Sequence, residues 1–156
     1  MQAVNFSGKQ ESLIWINEFK PEVILDAGSG VGTYGALLRQ FTSYPITTLH
    51  SLDIDPLLAQ KYGLQFNYNW LFVGDLRAWE RFGYDLIIFD DILEHMAIDE
   101  AISIWDKCSR EAKYALISIS NDILEPKNVL STFSNITRYQ KCDKVSIFWA
   151  EFNAGR

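Results

Sequence analysis

Asp26, Gly28, Gly30 and Gly32 are the residues of this 156-residue chain whose types and spacing point most directly to chemistry. They lie in the run Val23-Ile-Leu-Asp26-Ala-Gly28-Ser29-Gly30-Val-Gly32-Thr-Tyr34-Gly35. A short apolar segment reads as a buried parallel strand. It is followed by three glycines at alternate positions and then by a helical pattern. Glycine lets the backbone turn sharply and lets a ligand come close to the main chain. The helix that follows offers unpaired N–H groups to an anionic group. Such a loop suits a nucleotide cofactor, and Asp26, two residues before the first glycine, narrows which one. The next strands also end in carboxylates: Asp53 with Asp55, then Asp75, then Asp90 with Asp91. Ligands of open α/β sheets bind outside the carboxyl ends of the strands, so these groups would converge on one site. Part of the pattern has a plainer cause, because Asp is a favoured helix N-cap. Asp55, followed by Pro56, fits that role best.

The elements needed to position these residues alternate along the chain without a linker, repeat or low-complexity tract. Helices are predicted over 9–19, 32–42, 76–81, 97–111 and near 127–134, with a short one opened by Asp55-Pro56. Strands are predicted over 23–27, 47–54, 69–73, 84–89 and 114–119. The runs 137–142 and 145–152, split by Asp143-Lys144, read as a hairpin. This order predicts a single α/β domain over 1–156: a Rossmann-like, open, mostly parallel seven-stranded sheet with helices on both faces and an antiparallel C-terminal hairpin. Residues 1–20 carry the first helix, and the stretch from Phe6 to Trp15 is a candidate lid, although core packing explains Trp15 more simply. Trp105 and Trp149 sit on core patterns.

The net charge of −6 counts against nucleic acid and anionic membranes as partners, since no positive field gathers phosphates. Two cysteines, Cys108 and Cys142, without CxxC spacing fit a reduced, cytoplasmic protein. The first residues lack the pattern of a signal peptide, and no apolar run is long enough to span a bilayer.

Four segments resemble the class I S-adenosylmethionine-dependent methyltransferases, in family order and near family spacing. They are Leu25-Asp-Ala-Gly-Ser-Gly-Val-Gly32, Leu52-Asp-Ile-Asp-Pro56, Gly74-Asp75-Leu76 and Tyr84-Asp-Leu-Ile-Ile-Phe-Asp-Asp-Ile-Leu-Glu-His95. The resemblance implies S-adenosylmethionine as cofactor. Gly28, Ser29 and Gly30 would pack on its methionine part, and Asp26 would help hold the ammonium, directly or through water. Asp53 would accept hydrogen bonds from the ribose hydroxyls, and Ile54 would pack on the adenine. Asp75 would accept from the adenine amino group, and Leu76 would offer its main-chain N–H. Asp90 would lie where the sulfonium methyl faces the acceptor. The Leu-Glu-His form of the last segment, with no Asn-Pro-Pro-Tyr or Pro-Cys motif, resembles enzymes acting on small molecules.

His95, one of two histidines, is a candidate general base because its ordinary pKa lies near neutrality. The alternative is that Leu-Glu-His only starts a helix. Some family members with Glu-x-x-Glu-His bind a divalent ion there. Asp91-Ile-Leu-Glu94-His95 begins with Asp and has no obvious distant histidine partner, so no metal is expected. The domain also lacks an inserted substrate region, so its pocket would be shallow, or completed by the N-terminal segment, a second copy or a partner protein. This keeps open a second reading, a non-catalytic cofactor-binding or accessory module. A dinucleotide oxidoreductase fits less well, because Thr33 stands where the third glycine of that fingerprint belongs.

Overall fold

The computed structural model describes residues 6–153. Within them the strands β1 (Val23–Ala27), β2 (Thr48–Asp53), β3 (Trp70–Val73), β4 (Leu86–Asp90), β5 (Tyr114–Ser120), β6 (Ile136–Lys141) and β7 (Val145–Glu151) form one sheet, in the order β3-β2-β1-β4-β5-β7-β6. β7 pairs antiparallel with both β5 and β6, so it alone runs against the other described strands. Strand order reverses between β1 and β4, which pair in parallel register. That switch point opens a crevice at the carboxyl ends, where the glycine loop leaves β1 and Asp90 ends β4.

Alternation along each strand divides the core. Leu25, Ala27, Ile87 and Phe89 face one apolar cluster, which holds Ala101, Ile104, Trp105 and Cys108 of α4 (Ile98–Glu111) and Val129 of α5 (Pro126–Thr132). Ile24, Leu86 and Ile88 face the other, with Trp15 and Ile16 of α1 (Lys9–Phe19) and Tyr34 and Leu38 of α2 (Thr33–Phe41). Trp15 therefore packs in the core, and Trp105 and Trp149 are buried as expected. The same alternation sends Asp26 and Asp90 toward the α1 face.

Gly8 precedes α1 with φ 78°, and a Cβ there would strike Ile147 and Val145 of β7. This close approach fixes the first turn of α1 over the sheet end. Gly35, inside α2, meets the ring of Tyr68 so closely that any side chain would collide with it.

One predicted helix differs. The segment expected as helix over 76–81 makes a single 3-10 turn, Leu76–Ala78, and then extends. The Trp79 ring packs 5.0 Å from Phe72, its Nε1–H donates to the Arg81 carbonyl, and Phe82 runs into the core. Side-chain burial here outweighs a further helical turn. The short helix after Pro56, α3 (Leu58–Tyr62), starts later than expected: its N-cap is Leu57, without a side-chain cap, and Asp55 instead accepts from the Leu57 N–H in the turn before it.

Gly35→Ala should destabilise the fold. Alanine in a helix gains up to about 1 kcal/mol over glycine, but overpacking against Tyr68 costs about 1–3 kcal/mol. Urea denaturation should show a lower midpoint, and a raised midpoint would contradict this packing.

Candidate functional site

The site starts from how the glycine loop is tied down. The N–H groups of Gly28 and Ser29 donate to the Leu52 carbonyl, at 2.7 and 3.2 Å. The Ser29 and Ser51 hydroxyls lie 2.6 Å apart, and the Gly30 N–H donates to Asp53 Oδ2 at 2.9 Å. The Asp55 N–H donates to Asp53 Oδ1 at 3.1 Å. Each Asp53 oxygen thus keeps lone-pair capacity for a further donor. Gly28 has φ 77°, and a Cβ there would run into Ile92, whereas Gly30 (φ 53°) faces open space. The loop is closed on the side toward the β4 loop and open at Gly30.

A cavity of about 300 Å³ lies over the ends of β1, β2 and β3. Of the residues singled out in the sequence, Gly28, Asp53, Ile54, Asp75, Leu76 and His95 line it. Leu52, Gly74, Arg77, Ile92, Met96 and Glu100 line it too. Asp26, Ser29, Gly30 and Asp90 lie outside this wall. Asp75 caps the 3-10 turn by accepting from the Arg77 N–H, and both its oxygens also bond the Arg77 guanidinium. Those contacts hold the Asp75 carboxyl below its ordinary range. Arg77 also reaches Glu100 at 3.8 Å, across the cavity rim.

Asp26 is 1% exposed, and its Oδ2 accepts from the Tyr68 hydroxyl at 2.6 Å. The same hydroxyl accepts from the Gly35 N–H. Burial pushes the Asp26 carboxyl up to about 7, against the Tyr68 hydrogen bond, which holds it down. Asp90 meets Lys9, whose Nζ lies 2.9 Å from each carboxylate oxygen and 4.8 Å from the centre of the Tyr34 ring. Tyr34 in turn donates to Ser12, so the polar groups on this side are linked to α1.

Asp91, Glu94 and His95 follow β4. Asp91 has φ 54°, and its Oδ1 lies 3.4 Å from His95 Nε2. Donor atoms of all three residues fall within 4.8 Å of one another. Glu94 turns inward, where Oε1 accepts from the Ser120 N–H and Oε2 is buried without a donor. Burial, with the Asp91 carboxylate alongside, pushes the Glu94 carboxyl well above its ordinary value. Leu93–His95 forms a 3-10 turn ahead of α4, placing His95 on the cavity wall and Glu94 away from it. His50 is remote: it bonds the Tyr84 hydroxyl between the Phe72 and Tyr84 rings.

Sequence reasoning missed Lys9, Tyr68 and Arg77. Lys9 carried one signal, a cation on the first turn of a helix, where the macrodipole disfavours it. Tyr68 carried none, because only the tertiary fold brings it to Asp26.

This sheet order and crevice define the fold of the class I methyltransferases, and solved structures bear that out. A protein from Pyrococcus horikoshii OT3 superposes with TM-score 0.74 at 14% identity, covering 94% of this chain and 89% of that one. Magnesium protoporphyrin IX methyltransferase (ChlM) from Synechocystis PCC 6803, solved with SAM bound, gives 0.71 at 17% identity over 98% of this chain and 86% of its own. The N-methyltransferase NodS from Bradyrhizobium japonicum WM9 gives 0.74 at 10% identity over 92% and 94%. No protein-family model and no curated protein matches the chain. Among the described residues, no helix is long and apolar enough to cross a membrane.

Asp26→Asn should change how stability varies with pH. The folded protein holds a proton on Asp26 at pH values where the unfolded chain has lost it. The wild type therefore loses stability as pH rises from the ordinary aspartate value of 3.8 through about 7. Asparagine keeps an oxygen for Tyr68 and cannot ionise. Its denaturation midpoint, relative to wild type, should climb through that interval and level off above it. A constant difference would mean that Asp26 ionises normally in the fold.

Proposed function

We propose that the chain is an S-adenosylmethionine-dependent methyltransferase acting on a small-molecule acceptor. The observation that carries this reading is the held Asp53 carboxylate. Backbone N–H groups fix both its oxygens, and it stands beside exposed Ile54 on the wall of a cavity of about 300 Å³. A ribose needs two acceptors in one plane, and an adenine needs an apolar surface next to them. Gly74, Asp75 and Leu76 would meet the adenine edge, and Gly28, Ser29 and Gly30 would meet the methionine part. Asp75 keeps acceptor capacity for the adenine amino group despite Arg77. The bound SAM of the Synechocystis methyltransferase supports the same cofactor for a chain of the same fold. When bound, S-adenosylmethionine supplies a methyl made electrophilic by its sulfonium.

The protein's own task is then to align the acceptor and exclude water. His95 stands on the cavity wall beside Asp91, which can orient its ring, and it would take the acceptor's proton. Asp90 is less suited to that task, since Lys9 engages both its oxygens. The net charge of −6 favours a small acceptor over a polyanion.

One observation favours an accessory role through a partner. The outer strand β3 exposes Trp70 and Val73, and Phe66 beside it is 84% exposed. Apolar surface of this kind at a sheet edge is suited to a protein partner.

Calorimetric titration with S-adenosylmethionine and S-adenosylhomocysteine separates the two. Micromolar binding of both, followed by methyl transfer to small acceptors, is the expected result. Binding without transfer to any acceptor favours the accessory role, and a folded protein that binds neither at millimolar concentration ends the enzyme reading. Asp53→Ala should weaken cofactor binding by about 1.5–3 kcal/mol, and an unchanged affinity would remove Asp53 from the ribose. His95→Ala should keep cofactor affinity and lower turnover by about 10²–10⁴-fold; normal turnover would leave it a structural residue.

A further inference from the structure

A second cavity, of about 200 Å³, lies beside the one proposed for the cofactor, and Met96 lines both. The 3-10 turn Leu93–His95 borders the two: Glu94 lines the second and His95 the first. Nucleoside binding makes no use of the second. We infer that it seats the methyl acceptor, and that the acceptor is an amine carried on a small apolar body. The inference rests on the methyltransferase reading above and names its substrate class.

Size and lining define the body. Leu93, Ile119, Leu124 and Phe133 supply apolar walls. Ile98 and Ile123 also line the cavity, and at 58% and 49% exposure they mark its opening. An apolar cavity of about 150 Å³ stays dry and takes up benzene, so this one accommodates a single substituted ring or a short chain. No Lys or Arg is among the described residues that line it. A phosphate or carboxylate on the acceptor would therefore find no counter-charge there.

Charge defines the head group. Glu94 is the ionisable residue among the described ones lining the cavity. Its Oε1 accepts from the Ser120 N–H, and its buried Oε2 has no donor. A buried acceptor left without a donor is costly, and an N–H group of a ligand relieves that cost. A hydroxyl could donate as well, but the surroundings favour a cation. Asp91 lies beside Glu94, and Asp99, Asp122 and Glu125 adjoin Ile98, Ile123 and Leu124 in the chain. Lys127, the cation that follows them, is already engaged by Glu125 at 3.2 Å. Burial favours the protonated form of Glu94, and an ammonium alongside brings back the ionised form, so the contact becomes charge-assisted. Donor atoms of Asp91, Glu94 and His95 lie within 4.8 Å of one another, so a nitrogen held at Glu94 stands at the turn that borders the cofactor cavity. There the ammonium gives a proton to His95, and the freed lone pair forms the new N–CH₃ bond as the C–S bond breaks. The electrons of the broken bond stay on sulfur as a neutral thioether, and the nitrogen leaves as an N-methylammonium.

Two probes share one body and differ in the head: 2-phenylethylamine and 2-phenylethanol. Titrated by NMR into the wild type with S-adenosylhomocysteine present, the amine should bind about 10–100-fold more tightly, the effect of a hydrogen bond to a charged group. Glu94→Gln keeps an oxygen for the Ser120 N–H. It should bring the amine down to the affinity of the alcohol, leaving the alcohol and S-adenosylhomocysteine unchanged. Ile123→Trp, at an exposed position, should fill the opening and abolish binding of both probes. It carries the test of the cavity if the Glu94 variant fails to fold. With S-adenosylmethionine, mass spectrometry should find the N-methylated amine from the wild type and none from Ile123→Trp. Equal or tighter binding of the alcohol overturns the inference, and so does amine binding that survives Ile123→Trp. A bound amine left unmethylated removes the acceptor role. A wild type that binds S-adenosylhomocysteine but neither probe overturns the inference and spares the cofactor reading. One that binds no S-adenosylhomocysteine ends that reading, and the inference with it.

Discussion

The tie between the glycine loop and the end of β2 is the constraint on which the rest of the site depends. Without the bonds from Gly28 and Ser29 to the Leu52 carbonyl, and from Gly30 to Asp53, the loop after β1 would have no fixed path. With them, the backbone that must stay open and the carboxylate that must point into the cavity are set by the same contacts. The register of β1 against β2, Ala27 opposite Leu52, brings the two ends level. The left-handed turn at Gly28 then leaves room for Ile92 to close the cavity from the β4 side. Two parallel strands and two glycines thus determine the floor, one wall and the aperture together.

Much of this was legible in the sequence, for a physical reason. A glycine loop between an apolar strand and a helix is a local pattern, and so is a strand ending in Asp. Asp53, Asp75 and the glycines could be placed because their roles follow from positions next to them in the chain. The chain order of strands and helices gave the sheet, and the runs flanking Asp143-Lys144 gave the hairpin. What could not be read depends on contacts between distant segments. Lys9 and Asp90 are 81 positions apart, and Tyr68 and Asp26 are 42 apart. Their pairing follows only from how α1 and the segment before β3 lie on the sheet. Arg77 was missed for another reason: it is two residues from Asp75, but the fold-back of its guanidinium depends on side-chain geometry in a 3-10 turn where a helix was expected.

That replacement also shapes the side of the sheet around β2 and β3. The connection from β3 to β4 crosses as a strap, with Arg81 lying over the Phe72 and Trp79 rings. A full helix would have covered more of the outer strands, and the strap covers them with a few rings. The strap is short, so Phe82 and Tyr84 serve both as its anchors and as core residues. The same economy leaves Trp70 open on the outermost strand, level with His50 and away from the carboxyl ends.

The placement of β7 has a consequence for how the protein is made. It comes after every other described strand in the chain, yet it lies between β5 and β6, and all its residues but the last are buried. During vectorial synthesis β5 therefore emerges with one long edge bare, and the chain must wait for Val145–Glu151 to leave the ribosome before that edge is filled. Phe19 and Tyr114, which pack on Trp149 in the finished molecule, lack that partner for the same interval. The nascent chain passes through a state with an open β5 edge and unsatisfied aromatic surface. Such a state is where self-association competes with folding, and it ends only when the hairpin arrives.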